Sequence, residues 1–350
     1  MAPKKILLLG YLGFKTDQKD GQTIKTRQCY TLIERQAGKG SSLRYFDTEL
    51  LHFYPWKIVA LLWKTICANK VVYLPAHNNL RHFFLLLYLL SKIFRFDIIY
   101  IQIGGWLPEF FDRHPFIKRK MRNIKVLLVE NRQLAQTLLQ QYGMLNVGVM
   151  PNFRFVNFKP AVPSRNKNCF RLVFMSRIVK KKGIEVVFAL AGYFARPEIK
   201  AKCPVTIDFY GKTYPEDEAY FLNALEQYAD VRFKGEIEPE RIPQTLSVYD
   251  ALILPTRYPT EGLPGAVIDA YMAGIPVLVS NWLYAAACVT EGETGYIVPI
   301  GEEEVARYAA HIEYLFAHQD ELDRMKKAAY NRSGIYRAES AWRTLEPFLK

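Results

Sequence analysis

The order in which short apolar runs and helical patterns follow one another constrains the fold of this chain most. Lys5–Leu9, Leu43–Phe46, Val71–Leu74, Ile98–Ile101, Val126–Val129 and Val147–Met150 are β-rich and apolar. Between them lie stretches such as Gln22–Gln36, Trp56–Cys67 and Leu80–Phe94, long enough for helices. Strands alternating with helices predict a parallel sheet covered on both faces. Across Pro151–Asn168 the pattern lapses into Asn, Pro, Phe and Lys without a period, which reads as a linker. A second series then runs through Arg171–Met175, Val205–Phe209, Val231–Phe233, Ala251–Leu254, Pro276–Val279 and Tyr296–Val298. Helices are expected over Gly183–Phe194, Asp217–Tyr228, Pro264–Ala273, Glu302–Ala317 and Glu321–Arg332. The fold class expected is α/β, with two Rossmann-like doubly wound domains over residues 1–160 and 161–334 facing a central cleft. Residues 335–350 carry Trp342, Leu345 and Phe348 at helical spacing, as in a packing helix returning to the first domain. Sheets of this kind bind ligands outside the carboxyl ends of their strands.

Composition narrows the class of function. Of 350 residues half are apolar and 23% charged, enough for packed cores and unlike a disordered chain. The five cysteines never form C-x-x-C, which argues against a disulfide framework and for a reducing cytosol. Ile6–Leu9 is too short for a signal-peptide core. The block Phe83–Leu90, broken by Ser91 and Lys92, falls short of the roughly 20 residues of a spanning helix. A cytoplasmic protein, soluble or peripheral on a membrane, is expected. The net charge of +13 is uneven: residues 1–165 hold 25 Lys+Arg against 9 Asp+Glu. Such a half suits nucleic acid, an anionic membrane or an acidic substrate. No nucleic-acid motif accompanies the cations, so no nucleic-acid partner is expected. The stretches His52–Lys64 and Arg81–Phe96 mix Trp56, Trp63 and Phe83–Leu87 with Lys57, Lys64, Lys92 and Arg95. They read either as a membrane-surface element or as two helices packed on the first sheet.

Two segments carry chemistry. In Arg171–Glu185 a strand ends, Arg177 follows, and Lys182 precedes Gly183 where a helix begins. A guanidinium fork and an ammonium at a strand's carboxyl end suit a diphosphate, and would stabilise its charge as it leaves. In Pro259–Ser280 a glycine-rich turn follows a strand and opens a helix, whose N–H groups suit a phosphate or a sugar hydroxyl. Glu261 precedes that helix and Asp269 is expected about two turns along it, one carboxylate for a sugar and one for ribose hydroxyls. Read singly, each motif has a plainer explanation: a solvated lysine run, and a helix-capping acid.

Together, in this order and spacing, they resemble the retaining glycosyltransferases of the group 1 family, with the GT-B fold. The family's Glu, seven residues, then Glu appears as Glu261 and Asp269, and its diphosphate contacts fall on Arg177 and Lys182. The resemblance implies that Glu261, with the backbone at Gly262 and Leu263, meets the donor sugar and that Asp269 holds the ribose. Asp20–Arg27 is similar to the family's N-terminal glycine loop, which places Gly21 at the donor. Ile103–Leu107, with Gly104 and Gly105, and Met150–Phe153 resemble members that build capsular and other surface polysaccharides, so Gly104 and Gly105 are expected on the acceptor side. Tyr210, Gly211 and Ile237 fall in loops that line the family's nucleotide base pocket.

The implied reaction moves a sugar from a nucleoside diphosphate sugar, such as a UDP-sugar, to a saccharide hydroxyl. A polyprenyl-diphosphate-linked saccharide at the cytoplasmic leaflet is the acceptor that the basic half and the apolar-basic stretches suggest. No Asp-x-Asp or His/Cys/Asp cluster with metal spacing occurs, so neither metal nor cofactor is expected. Gly10–Gly13 is not G-x-G-x-x-G and gives no support to a nicotinamide site. His52, His77, His82 and His114 receive no role as a base. The sequence departs from the family at Ser176, where a glycine often stands, and at Ala287, where many relatives have a glutamate. Two other readings stay open: a sugar-nucleotide epimerase of the same architecture, and a weakly active binding subunit.

Overall fold

A computed structural model describes residues 4–18, 20–38, 41–160, 168–258 and 261–350. Residues 161–167 of the expected linker, and Pro259 and Thr260 of the glycine-rich segment, lie outside these. The chain divides into two compact units, Met1–Phe155 with Ile335–Lys350, and Val156–Gly334.

The first unit's sheet contains β1 (Lys4–Gly10), β2 (Ser41–Asp47), β3 (Lys70–Leu74), β4 (Asp97–Ile101), β5 (Val126–Val129) and β6 (Val147–Val149). Their spatial order is β2-β1-β3-β4-β5-β6, every pairing parallel. The central strands are almost wholly buried aliphatic runs, as required where helices cover both faces of a sheet. The helix Gly21–Gln36 starts where Asp20 and Thr23 cap each other: Thr23 N donates to Asp20 Oδ1 at 2.9 Å, and Asp20 N to Thr23 Oγ1 at 3.0 Å.

One face of this sheet, through Ile6, Leu8, Val72, Leu74, Ile99 and Ile101, packs on Cys29, Leu32 and Ile33 of that helix. The same cluster takes in Ala338, Ala341, Leu345 and Leu349 of the C-terminal helix Ala338–Leu349. That buried stripe differs from the aromatic one expected from sequence. Trp342 and Phe348 flank the core only partly buried, while the small Ala338 and Ala341 let the helix come close. The division between units falls after Phe155 rather than after residue 160. Phe158 and Pro160 already pack on the second unit: Tyr330 Oη donates to the Phe158 carbonyl at 3.1 Å, and Pro160 lies against Gly274.

The second sheet contains β7 (Phe170–Met175), β8 (Val205–Tyr210), β9 (Val231–Phe233), β10 (Ala251–Leu254), β11 (Val277–Ser280) and β12 (Gly295–Val298). The order is β12-β11-β10-β7-β8-β9, again all parallel. The first strand of this unit, β7, therefore sits between β8 and β10. The connections leaving β7 and β10 run in opposite directions across the sheet, which opens a crevice at their carboxyl ends where doubly wound sheets hold ligands. These are two Rossmann-like domains.

Candidate active site

The loops after β7 and β10 meet through their backbones. After β7 a short 3-10 turn, Lys180–Lys182, ends on Gly183, which has φ +86°. A Cβ at Gly183 would come 2.0 Å from the Pro255 carbonyl oxygen, just beyond β10. Only glycine permits both that backbone conformation and that approach. Arg257 N donates to the Lys181 carbonyl at 2.8 Å, a second tie between the loops.

Three sequence-predicted groups gather on this frame. Lys182 forms an ion pair with Glu261 Oε2, the two side chains being only 9% and 16% exposed. Thr256 Oγ1 donates to the same Glu261 oxygen at 3.3 Å. The Lys182 ammonium lies 4.7 Å from the centre of the Tyr258 ring and the Arg177 guanidinium 5.3 Å from it. Arg177 Nη2 also donates to Tyr258 Oη at 3.2 Å. Two cations are thus held side by side by one aromatic ring, while among the described residues a single carboxylate pairs with one of them. Such a cluster is prepared for an anion that brings charge of its own.

Tyr258 and its neighbours were not singled out from the sequence. Arg257 grips the buried Glu304 bidentately, through Nη1 at 2.8 Å and through Nη2. Ser280 Oγ, at the end of β11, donates to the Thr256 carbonyl at 2.6 Å. Thr256, Arg257 and Tyr258 therefore form a rigid strap ahead of Glu261. The Thr-Arg-Tyr run shortly after β10 carries no pattern that marks it in the sequence.

Asp269 is buried in the helix Gly265–Ala273, 6% exposed. The helix opens at Gly265, so Asp269 lies just past its first turn rather than two turns along. Pro264 stands extended at the N-cap (φ −59°, ψ 133°), so the helix begins one residue later than expected from sequence. Gly262 and Leu263 are buried in that turn, and the Cys288 thiol contacts the Gly262 carbonyl at 3.6 Å.

The loops after β8 and β9 border the same edge of the sheet. Gly211 has φ +140°, and a Cβ there would lie 1.8 Å from the Ser176 carbonyl oxygen. Gly211 N donates to the Gly235 carbonyl at 2.9 Å, while Ser176 N donates to the Tyr210 carbonyl at 3.1 Å. Gly211 thus locks the ends of β7, β8 and β9 together one residue before Arg177. The Tyr210 hydroxyl meets the Tyr249 hydroxyl at 3.1 Å, and Tyr249 Oη donates to the buried Asp208 at 2.7 Å. Burial, then the hydrogen bonds to Tyr210 and Asp208, push the Tyr249 phenol far above its ordinary range, so it stays a neutral donor. Ile237 is half-buried in the loop after β9.

The remaining predicted residues belong to the first unit. Gly104 has φ +80°, and its carbonyl accepts from Gln102 Nε2 at 3.0 Å. Gly105 follows it in the same bend after β4. Gly21 is the first residue of its helix; an added Cβ would meet nothing within 4 Å, so the fold alone does not demand glycine there. A buried pair missed from sequence organises this region. Lys25 Nζ donates to Glu130 Oε1 at 3.0 Å and to the Gln102 carbonyl at 2.7 Å. Among the described residues, no three His, Cys, Asp or Glu side chains are grouped as a metal site needs, and no helix is long and apolar enough to cross a membrane.

Residues 156–332 match the family model for glycosyl transferases, group 1. No curated protein matches the chain in sequence. Among solved structures, Anabaena Alr3699/HepE in complex with UDP-glucose is 17% identical with a TM-score of 0.72, the match covering 99% of each chain. Sucrose-phosphate synthase from Thermosynechococcus elongatus is 16% identical with a TM-score of 0.74, over 99% of this chain and 98% of that one. The pneumococcal O-GlcNAc transferase GtfA in complex with UDP and GlcNAc is 14% identical with a TM-score of 0.63, over 83% of this chain and 59% of that one. At such identities the likeness is one of fold.

Proposed function

The chain belongs to the group 1 glycosyl transferases, and from that premise we propose that it moves a sugar from a UDP-sugar to a saccharide hydroxyl with the anomeric configuration retained. The observation that carries this reading is the pairing of Arg177 and Lys182 on Tyr258, with Glu261 beside them, at the switch point of the second sheet. Family membership favours transfer over epimerisation. UDP as the nucleotide is supported by the Anabaena and pneumococcal structures, both of which are complexes with UDP or UDP-glucose.

In the proposed reaction the bond between the anomeric carbon and the diphosphate oxygen breaks, and one to the acceptor oxygen forms on the same face. The acceptor's proton passes to the departing phosphate oxygen, so no separate base is required. Arg177 and Lys182 stabilise the charge growing on the diphosphate, a contribution that is greatest in the transition state. Glu261 exchanges Lys182 for a sugar hydroxyl when the donor enters, and Asp269 takes the ribose. Tyr210, Gly211 and Ile237 border the base, with Gly262 and Leu263 along the sugar, and Gly21 is assigned to donor binding. Gly104 and Gly105 serve the acceptor. The two cations meet the diphosphate without a metal ion.

The acceptor we propose is a lipid-linked saccharide used in surface polysaccharide assembly on the cytoplasmic side of a membrane. The basic first half supports it, since a polyprenyl diphosphate carrier is itself an anion.

Thermal unfolding with UDP-, GDP-, ADP- and dTDP-sugars, in the presence of a chelator, tests the donor reading. A ligand at about 100 times its Kd adds roughly 2.7 kcal/mol to the folded state, enough to raise the midpoint by several degrees. UDP-sugars are expected to stabilise selectively. Stabilisation by another nucleotide alone would replace UDP, and no shift with any of the four would contradict the donor site.

A further inference from the structure

We infer that one face of the first unit, built by the helices Ile58–Ile66, His77–Phe94 and Pro115–Met121, docks on an anionic phospholipid bilayer. The inference extends the proposal of a lipid-linked acceptor, but its test needs neither donor nor transfer. These helices are neighbours: the first packs on the second and the second on the third. Each spends one side on the core, through Leu61, Leu80, Phe84, Leu87, Ile117 and Met121. The opposite side exposes a row of large apolar groups. Trp56 and Trp63 are 67% and 63% exposed, with Val59 between them at helical spacing. Leu86, Leu89 and Ile93 repeat the pattern on the second helix, and Phe116 continues it on the third. A surface this apolar is unusual on a protein meant to face only water.

The charge around it identifies the occupant. Residues 50–96 contain six Lys and Arg and no Asp or Glu, and residues 113–129 contain six more and again no acid. The cations border the aromatic groups: Lys57 lies over Tyr54, Lys92 over Tyr88, and Lys120 between Tyr88 and Phe116, all within 5.5 Å of the rings. Burial and the like charges of Arg44 and Lys57 hold the Lys64 ammonium pKa below its usual value, a sign of crowded positive charge. Tryptophans and aliphatics ringed by cations match an interface whose surface is anionic and whose interior, about 5–10 Å down, is hydrocarbon. A second copy of the chain fits poorly, because a two-fold contact would press this cation-rich face against itself.

The test is co-sedimentation of the full chain with vesicles of phosphatidylcholine alone and of phosphatidylcholine with 30% phosphatidylglycerol. A companion readout is quenching of tryptophan fluorescence by brominated lipid. Binding at least tenfold stronger to the anionic vesicles, weakened by salt and accompanied by quenching, is expected. The double variant Trp56→Ser and Trp63→Ser, on exposed sites remote from the core, should lose at least tenfold in binding and lose the quenching while keeping its thermal midpoint. Equal recovery with both vesicles, or unchanged binding by the variant, would overturn the inference. So would a dimer in light scattering that the same variant converts to monomer. A donor-induced thermal shift without vesicle binding would defeat this inference and leave the donor site standing.

Discussion

Lys182→Ala is expected to lower kcat for sugar transfer by about 10²–10³-fold, the usual cost of removing one group that stabilises developing negative charge. Two effects are combined in that number. The ammonium is lost from the leaving diphosphate, and Glu261 is left without its ion-pair partner in a pocket where it is only 16% exposed. Orphaning a fully buried carboxylate costs about 3–5 kcal/mol; here solvent reaches part of the group and the loss of stability should be smaller. The double variant Lys182→Ala with Glu261→Gln separates the effects, because glutamine needs no counter-charge. Its thermal midpoint should return most of the way to wild type while kcat stays as low as in the single variant or lower. Recovery of kcat along with stability would reduce Lys182 to a structural partner of Glu261.

Gly211→Ala should be among the most damaging small substitutions in the second unit. Its φ of +140° suits glycine, and the new Cβ would be placed 1.8 Å from the Ser176 carbonyl, a backbone atom that cannot swing aside. Strain of about 1–3 kcal/mol and overpacking of about 1–3 kcal/mol act together, so the midpoint should fall by roughly 10 °C. The displaced strand end carries Ser176 and Arg177, and donor affinity should fall with it. Gly235→Ala is the control: φ is positive there too, at +75°, but an added Cβ meets nothing within 4 Å. It carries the strain without the clash and should cost about half as much. Equal losses for the two variants would mean that the contact with Ser176 is unimportant.

Much of this was legible in the sequence because buried parallel strands leave a plain signature. Val126–Val129 and Ala251–Leu254 are short, apolar and isolated, and both are strands. Helix starts were less legible, since they depend on local chemistry. Pro264 stays extended at the N-cap, so the helix opens at Gly265, and Asp269 falls in its second turn. The C-terminal helix was foreseen, but its buried stripe was read from large side chains when Ala338 and Ala341 make the close contact. In the site, Arg177 was visible as a charge after a strand, and Lys182 and Glu261 as charges ahead of helices. Tyr258 was not, because an aromatic residue in a loop announces nothing until two cations are seen on its ring. Lys25 and Glu130 are 105 positions apart and were equally hidden, since only the fold brings them together.

The most direct test compares, by calorimetry, the affinity of the chain for a nucleoside diphosphate and its monophosphate, using the base that stabilises best. If Arg177 and Lys182 hold the diphosphate, the diphosphate should bind at least about tenfold more tightly, since charge-assisted hydrogen bonds contribute about 1.5–3 kcal/mol. In the Arg177→Ala and Lys182→Ala double variant that preference should shrink to about threefold or less, with affinity for the monophosphate changed little. Equal affinities in the wild type, or a preference that survives in the variant, would contradict the account.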